Sequence, residues 1–489
     1  MPPGGLKGPR DPAADRSSLA SHRFRWTHQW ASYVAAVVIA TAAGLLRQSG
    51  TPAFDSIWAE DALVFLSDAI ARPFVDTFFE PYRGYVLVLP RALAWVASTL
   101  PLEFAALIMS GGSALVVALL AAFVFRATES ISHIGLRLAL GAAVILLPVA
   151  AVETLNTAAN VHWYLMFAAF WALAWYPRSA ALRLVAAFVA ALAALNDPLS
   201  LLLAPAVALR AATSHNWRDH WPTAAWGAGL AVQGIAVAST GGEPIVGAGL
   251  SELAAGYGGF VVGLTVLGLE FAGRVWASAS VLSWLGLIVA GCLTAYCSTR
   301  LERPACRLAM AAVACSVLLF AVPFWLRGVE YSIESLALPA SRYLVAPSLL
   351  FLSTAALVMD SVGAPRPALV IVGVWFALVA MTNFSMPNGR DAGPSWQEAV
   401  AAARKVCRDG AVLAPVGIAP YGWHMDVQCS SIDADIRPSG TRGDHGPRAG
   451  GDGTAATASR GRKREGGWAD PLEILAKAPR ATEPGQLPL

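Results

Sequence analysis

Apolar runs close to twenty residues long recur along most of this chain, and a lipid bilayer is the environment that accommodates them. A helix crossing a hydrocarbon layer of roughly 30 Å needs about 20 mainly apolar residues. Stretches of this kind, a few of them short, lie at 30–47, 104–125, 136–152, 162–176, 182–195, 199–209, 223–239, 279–297, 305–325, 341–359 and 367–383. They predict an all-α polytopic membrane protein with about eleven crossings, two either way. Of 489 residues 56% are hydrophobic and 14% charged, where soluble domains carry nearer a quarter charged. The formal net charge of +3 is too small to argue for a nucleic-acid partner.

Residues 1–29 are rich in proline and glycine at the start and carry Lys7, Arg10, Arg16, Arg23 and Arg25. No Ala-x-Ala cleavage site follows the first apolar run, so residues 30–46 are read as a retained span behind a disordered cytoplasmic N-terminus. With that orientation the inner loops collect Arg126, Arg137, Arg178, Arg183, Arg210, Arg218, Arg300, Arg303, Arg307 and Arg366, as the positive-inside rule requires. The outer loops collect acid: Asp55, Glu60, Asp61, Asp68, Asp76, Glu80, Glu153, Asp197, Glu243, Glu252, Glu330 and Glu334. If either of two further apolar stretches, 85–100 and 258–271, crossed alone, every later loop would change sides and this asymmetry would collapse. Both are therefore expected to be re-entrant or interfacial helices on the outer side. The short runs at 182–195 and 199–209 also admit half-helices joined at the Asn196-Asp197-Pro198 turn.

The domain plan is then a transmembrane region at 30–383 with an acidic outer loop at 48–103, a small extracytoplasmic segment at 384–435, and a tail at 436–489. In the small segment Trp396, Val400, Ala403 and Val406 have helical spacing and residues 411–418 are strand-like. Cys407 and Cys429 sit in this polar segment, and two cysteines 22 apart in an oxidising compartment suggest a disulfide, worth about 3 kcal/mol for a loop that size. The alternative is two free thiols. Cys292, Cys297, Cys306 and Cys315 lie in or near spans, and no metal-ligand spacing appears. The tail turns to Gly, Arg, Ser, Thr and Asp, a disordered composition whose 460–464 basic cluster lies too far from any span to weigh on orientation.

The candidate chemistry concentrates in the stretch from Trp58 to Arg91. A helix from about Ala59 to Ala71 would carry Ala62, Phe65, Leu66, Ala69 and Ile70 on one face, lie flat in the interface, and hold Asp61 at the membrane surface. Asp61 is then a candidate general base, with Glu60 second in line. The plainer alternative is a solvated loop. Arg83 in Tyr82-Arg83-Gly84-Tyr85 and Arg91 after Pro90 offer forked donors suited to phosphate. Pairing with Glu60, Asp61 or Glu80 is the competing explanation. Asn160 and His162 would face the same outer vestibule, or serve as cap and interface residues. Asn196 and Asp197 form the next outer turn, and Arg342 and Tyr343 open a late span, where the arginine either snorkels to the boundary or holds a lipid phosphate at headgroup depth. No nucleotide-binding or metalloprotease motif and no nucleophile elbow is present.

This arrangement resembles the GT-C superfamily of multi-pass glycosyltransferases. The resemblance rests on Glu60-Asp61 in the first outer loop, on Pro81-Tyr82-Arg83-Gly84-Tyr85, and on Ser341-Arg342-Tyr343 opening a late span. It covers roughly 30–383 in layout. The order Glu-Asp departs from the Asp-Glu of some members, and no large soluble outer domain follows. The resemblance implies an inverting transfer of a sugar from a polyprenyl-phosphate carrier to a cell-envelope glycan, glycolipid or protein hydroxyl on the extracytoplasmic side. The abundance of Ala, Gly, Arg and Pro points to a bacterium, and with it a plasma membrane. Asp61 or Glu60 would be the base, and Arg342, with Arg83 or Arg91, would hold the departing phosphate. Tyr85, Trp58, Trp163 and Trp423 would stack on sugars. No cofactor is implied, and a divalent metal finds no support. The other classes weighed are a transporter or flippase of lipid-linked sugar and a non-catalytic envelope-assembly subunit.

Overall fold

The structure, a computed structural model, describes residues 31–240, 247–275, 279–327 and 341–433. The expected N-terminal segment 1–29, the tail 436–489, and Glu243, Glu330 and Glu334 lie outside the described residues. Within them the chain is predominantly helical, and the helices follow the apolar runs closely. Six are long and apolar enough to cross a membrane: Leu102–Ala127, Ile134–Glu153, Leu250–Ala272, Val281–Ser298, Pro304–Leu326 and Arg342–Ser361. Six shorter apolar helices accompany them, among them Ala31–Leu46, Val161–Ala174, Ala180–Ala194 and Arg366–Thr382.

Val161–Ala174 is the centre of the bundle. Its apolar residues run all the way round, and from Val161 to Leu173 every side chain is buried, as expected of a helix with no solvent- or lipid-facing stripe. Around it pack Gly112–Ala127, Ala180–Ala194, Ala204–Thr213 and Arg342–Ser361. By contrast Ala279–Ser298 and Arg366–Thr382 present Trp284, Ile288, Val370, Ile371 and Leu378 outward.

Helix ends in such an apolar body need partners other than water, because the last carbonyls and first amides of a helix have none of their own. Buried arginines supply several. Arg47 donates to Leu147 O (3.1 Å), Phe384 O (3.0 Å), Asn383 O and Ile145 O, joining the ends of three helices. Arg210 donates to Trp175 O (3.1 Å), Leu173 O and Asp219 O. Carboxylates and amides cap the amide ends: Asp360 Oδ1 accepts from Ser132 N (2.9 Å) and His133 N (3.2 Å), and Asn383 Oδ1 accepts from Leu269 N (2.8 Å) and Glu270 N (3.0 Å).

These ties sort the loops into two groups at opposite ends of the bundle. One holds residues near 47, 147–160 and 383–390. The other holds Glu129 with Arg126 and Trp175, the 132–133 turn with Asp360, and Arg303 with Ser361 O (2.6 Å).

The two ambiguous stretches resolve differently. Residues 85–100 contain Val88–Ser98, an 11-residue helix only about 16 Å long at 1.5 Å per residue, too short for a crossing. Residues 258–271 belong to a longer helical run that meets the length for a span, though Gly268 (φ 75°) breaks it. Only glycine fits there: a Cβ would stand 2.3 Å from Asn383 Nδ2.

Residues 384–433 pack as one core with the acidic loop. The helix Trp396–Arg408, capped by Ser395 Oγ on Glu398 N, buries Trp396, Val400, Ala403 and Cys407 against Ile57, Phe65, Leu102 and Met109. Two antiparallel strands, β1 (Leu413–Ile418) and β2 (Trp423–Gln428), complete it; the strand-like stretch 411–418 is β1, and its partner β2 is what the all-α expectation misses. Ala419 N donates to Ile57 O (3.0 Å) and Trp396 Nε1 to Leu102 O (2.8 Å). The Cys407–Cys429 disulfide, expected from the sequence, ties this helix to the end of β2.

Candidate functional site

The site begins with a strained turn. Tyr82 and Tyr85 exchange backbone hydrogen bonds (2.8 and 3.2 Å), which leaves Arg83 and Gly84 as a two-residue loop with φ of 49° and 90°. Left-handed conformations come readily to glycine but cost an arginine of order 1–3 kcal/mol, and they persist where the surroundings hold them. Gln233 does the holding, accepting from Val86 N (2.9 Å) and donating to Val86 O (2.8 Å). Next along the chain, Leu89 N donates to Asn196 Oδ1 (2.9 Å), drawing the 196–198 turn alongside.

Asp61 fixes the opposite wall. It is fully buried, and its two carboxylate oxygens accept from Ala158 N and Ala159 N, both at 2.8 Å. Ala159 O in turn receives His162 Nδ1–H at 2.6 Å, and His162 Nε2 lies 3.3 Å from Asp197 Oδ2. From a third direction Arg342 meets Glu153: its guanidinium is 2.5 Å from Oε1 and its backbone N is 3.2 Å from Oε2.

Between these walls is a cavity of ≈ 190 Å³. Glu60, Tyr82, Arg83, Tyr85, Asn160, His162, Trp163, Asp197, Arg342 and Tyr343 line it, and Leu87, Leu199, Pro323 and Leu326 make its apolar side. Trp163 and Tyr343 meet edge to face at 4.9 Å, and the buried Trp163 indole N–H has no acceptor among the described residues. The cavity thus joins carboxylates able to take a proton to guanidinium groups able to hold an anion.

Among the residues singled out from sequence, Glu60, Arg83, Tyr85, Asn160, His162, Arg342 and Tyr343 come together here. Asp61 and Arg91 are placed elsewhere. The expected surface position of Asp61 is wrong: the run Asp61–Leu66 is a π-helical turn that rotates Asp61 inward onto the 158–159 amides. Burial pushes its carboxyl up to about 7, opposed by the amides of Ala159 and Ala158 and by the Arg390 guanidinium. Arg91 does not line the cavity. It is buried beside Asp68 (3.1 Å) and Glu80 (4.0 Å), in a network completed by Arg72, so the ion-pair explanation applies to it. Trp58 packs on the Gly389 backbone and Trp423 on the core around Trp396, and neither lines the cavity.

Sequence reasoning passed over Arg390 altogether. This buried arginine donates to Asn156 O (2.6 Å), Ser56 O (2.8 Å) and Ser110 Oγ (2.8 Å), and burial lowers it to about 10 with Asp61 opposing. Nothing in the local pattern Asn388-Gly389-Arg390 marks it. Asp197 was legible only as a turn residue before Pro198. Tyr82 was visible in its motif but unassigned; burial pushes its hydroxyl up, with Glu60 adding to the effect.

Among the described residues no group of three or more His, Cys, Asp or Glu side chains is placed to hold a metal ion. Comparison with protein-family models, with curated proteins and with solved structures found no match.

Proposed function

We propose that this protein is a membrane glycosyltransferase that moves a sugar from a polyprenyl-phosphate carrier to an acceptor hydroxyl at the extracytoplasmic face. The observation that carries the reading is one cavity holding Glu60, Arg83 and Arg342 at the acidic end of an apolar helical bundle, with an apolar side at Leu199, Pro323 and Leu326. Arginine at that depth suits a lipid phosphate, and the apolar side suits its hydrocarbon chain. Its orientation follows the charge asymmetry of the loops, with about eleven crossings, the run broken at Gly268 not crossing alone, the cavity outside and the N-terminus inside.

Glu60 is the general base in this reading, because both oxygens of Asp61 are already committed to backbone amides. The acceptor O–H gives its proton to Glu60 as its oxygen bonds to the anomeric carbon. The anomeric bond to the phosphate oxygen breaks, and its electron pair leaves with the phosphate. Arg342, oriented by Glu153, and Arg83 meet the developing negative charge from fixed positions, which is where such donors contribute most. General-base assistance is worth about 10²–10⁴ in rate.

The test is transfer from a labelled polyprenyl-phosphate sugar to membrane acceptors by purified protein. Transfer that Glu60→Gln and Arg342→Gln abolish is the expected result. Counterflow of the lipid-linked sugar with no transfer would replace this reading with transport.

A further inference from the structure

We propose that His162 and Asp197 share a single proton, and that this proton sets whether the cavity accepts an anion. The inference rests on the cavity being the phosphate site of the proposed transferase, and it extends that reading to regulation by pH.

The geometry counts the proton. Ala159 O can only accept, so the 2.6 Å contact places a hydrogen on His162 Nδ1. With Nδ1 protonated, a neutral ring presents a lone pair at Nε2, and that lone pair stands 3.3 Å from Asp197 Oδ2. Asp197 Oδ1 is occupied at 2.7 Å by Leu199 N, which fixes the carboxylate orientation. Both side chains are nearly inaccessible, at 6% and 5% exposure. A lone pair facing an ionised carboxylate in so dry a place is unfavourable, and one proton between them removes the conflict. Whether it rests on nitrogen or oxygen, the pair then carries no net charge.

That neutrality decides the sign of the site. Facing the pair are Glu60, Tyr82, Arg83 and Tyr85 from the first loop, and Arg342 and Tyr343 from the Arg342–Ser361 helix, with Glu153 behind Arg342. The 158–160 turn brings no charge of its own, but Asp61 lies beneath it. Two arginines balance Glu60 and Glu153 while the pair is neutral. Once the proton is lost, the balance becomes negative and a phosphate is opposed.

The probe is a didecyl phosphate, a phosphodiester with one fixed negative charge, titrated onto purified full-length protein in detergent from pH 5 to 9. Wild type should lose affinity by about tenfold per pH unit once the shared proton leaves. Asp197→Asn keeps the cap on Leu199 N, and its amide N–H donates to Nε2, so it should bind at high pH as wild type does at low pH, without that slope. His162→Gln removes the ring that shares the proton and leaves Asp197 ionised, so it should bind at least tenfold more weakly than wild type at pH 6. Asp61 titrates in all three proteins, so it cannot produce the difference between them. A flat wild-type profile, a wild-type slope retained in Asp197→Asn, or no binding at any pH would overturn the proposal. If the pH-linked binding appears while sugar transfer does not, the transferase reading alone fails.

Discussion

Glu60 and Asp61 are neighbours in the chain, yet Glu60 lines the cavity while Asp61 is fully buried with both oxygens 2.8 Å from the Ala158 and Ala159 amides. Their substitutions should therefore separate. Under the proposed transferase reading, Glu60→Gln should lower transfer by about 10²–10⁴ and leave the thermal midpoint unchanged. Asp61→Ala leaves the buried Ala158 amide and the half-buried Ala159 amide without their acceptor, at about 1–3 kcal/mol for the buried one, and should lower the midpoint first. Thermal unfolding beside transfer assays on both variants checks this.

Asp61 also predicts a pH dependence of stability. Its carboxyl titrates near 3.8 when unfolded and near 7 in the fold, because burial opposes its charge. Between those values the folded state keeps a proton that the unfolded state has released, so stability falls as pH rises from about 4 to 7 and levels off above. Asp61→Asn lacks the titrating group. The wild-type midpoint minus that of the variant should decline over this window, and a constant difference would show that burial does not govern Asp61.

Arg83 occupies a left-handed conformation (φ 49°) at the tip of its turn. Arg83→Gly relieves the backbone strain and should hold or raise stability, by about 1 kcal/mol. It also removes a cavity guanidinium, and sugar transfer should fall at least tenfold. A variant both more stable and less active marks the strain as serving the site.

The Cys407–Cys429 bridge spans a sequence separation of 22 in the core that residues 384–433 share with the acidic loop. Replacing both cysteines with serine should cost about 3 kcal/mol. That core includes Phe65 and Ile57 beside Glu60, so the loss should reach the cavity and appear as reduced transfer at temperatures where wild type is fully active.

Trp163 carries an indole N–H with no acceptor among the described residues and lines the cavity. Trp163→Phe keeps an aromatic ring beside Tyr343 but removes the donor together with part of the indole, so some loss of thermal stability accompanies it. Under the proposed transferase reading, a rise in KM for the sugar donor measured below the variant's own midpoint is the expected outcome; steady-state kinetics reads it.

The periodic and compositional signals carried the helices. Runs such as 104–125 and 305–325 became Leu102–Ala127 and Pro304–Leu326, because a long apolar stretch has few other ways to satisfy its backbone. The disulfide and the amphipathic helix at Trp396 were legible for similar local reasons. The gathering of Arg83, Arg342, Asn160 and His162 was anticipated as one shared outer vestibule, but with Asp61 rather than Glu60 first in line as its carboxylate, since sequence gives sides and not the direction each side chain takes.

What the sequence settled by itself was which segments are helical and which loops carry acid or base, since burial and charge cost are properties of each segment alone. The tertiary structure alone decided the fate of each polar side chain. Asp61 turned onto the 158–159 amides, Arg91 onto Asp68 and Glu80, and Arg47, Arg210 and Arg390 onto backbone carbonyls at helix and loop ends. In so apolar a body every unpaired amide, carbonyl or charge must find its partner within the protein, and that partner can lie more than three hundred residues away, as Phe384 O does from Arg47.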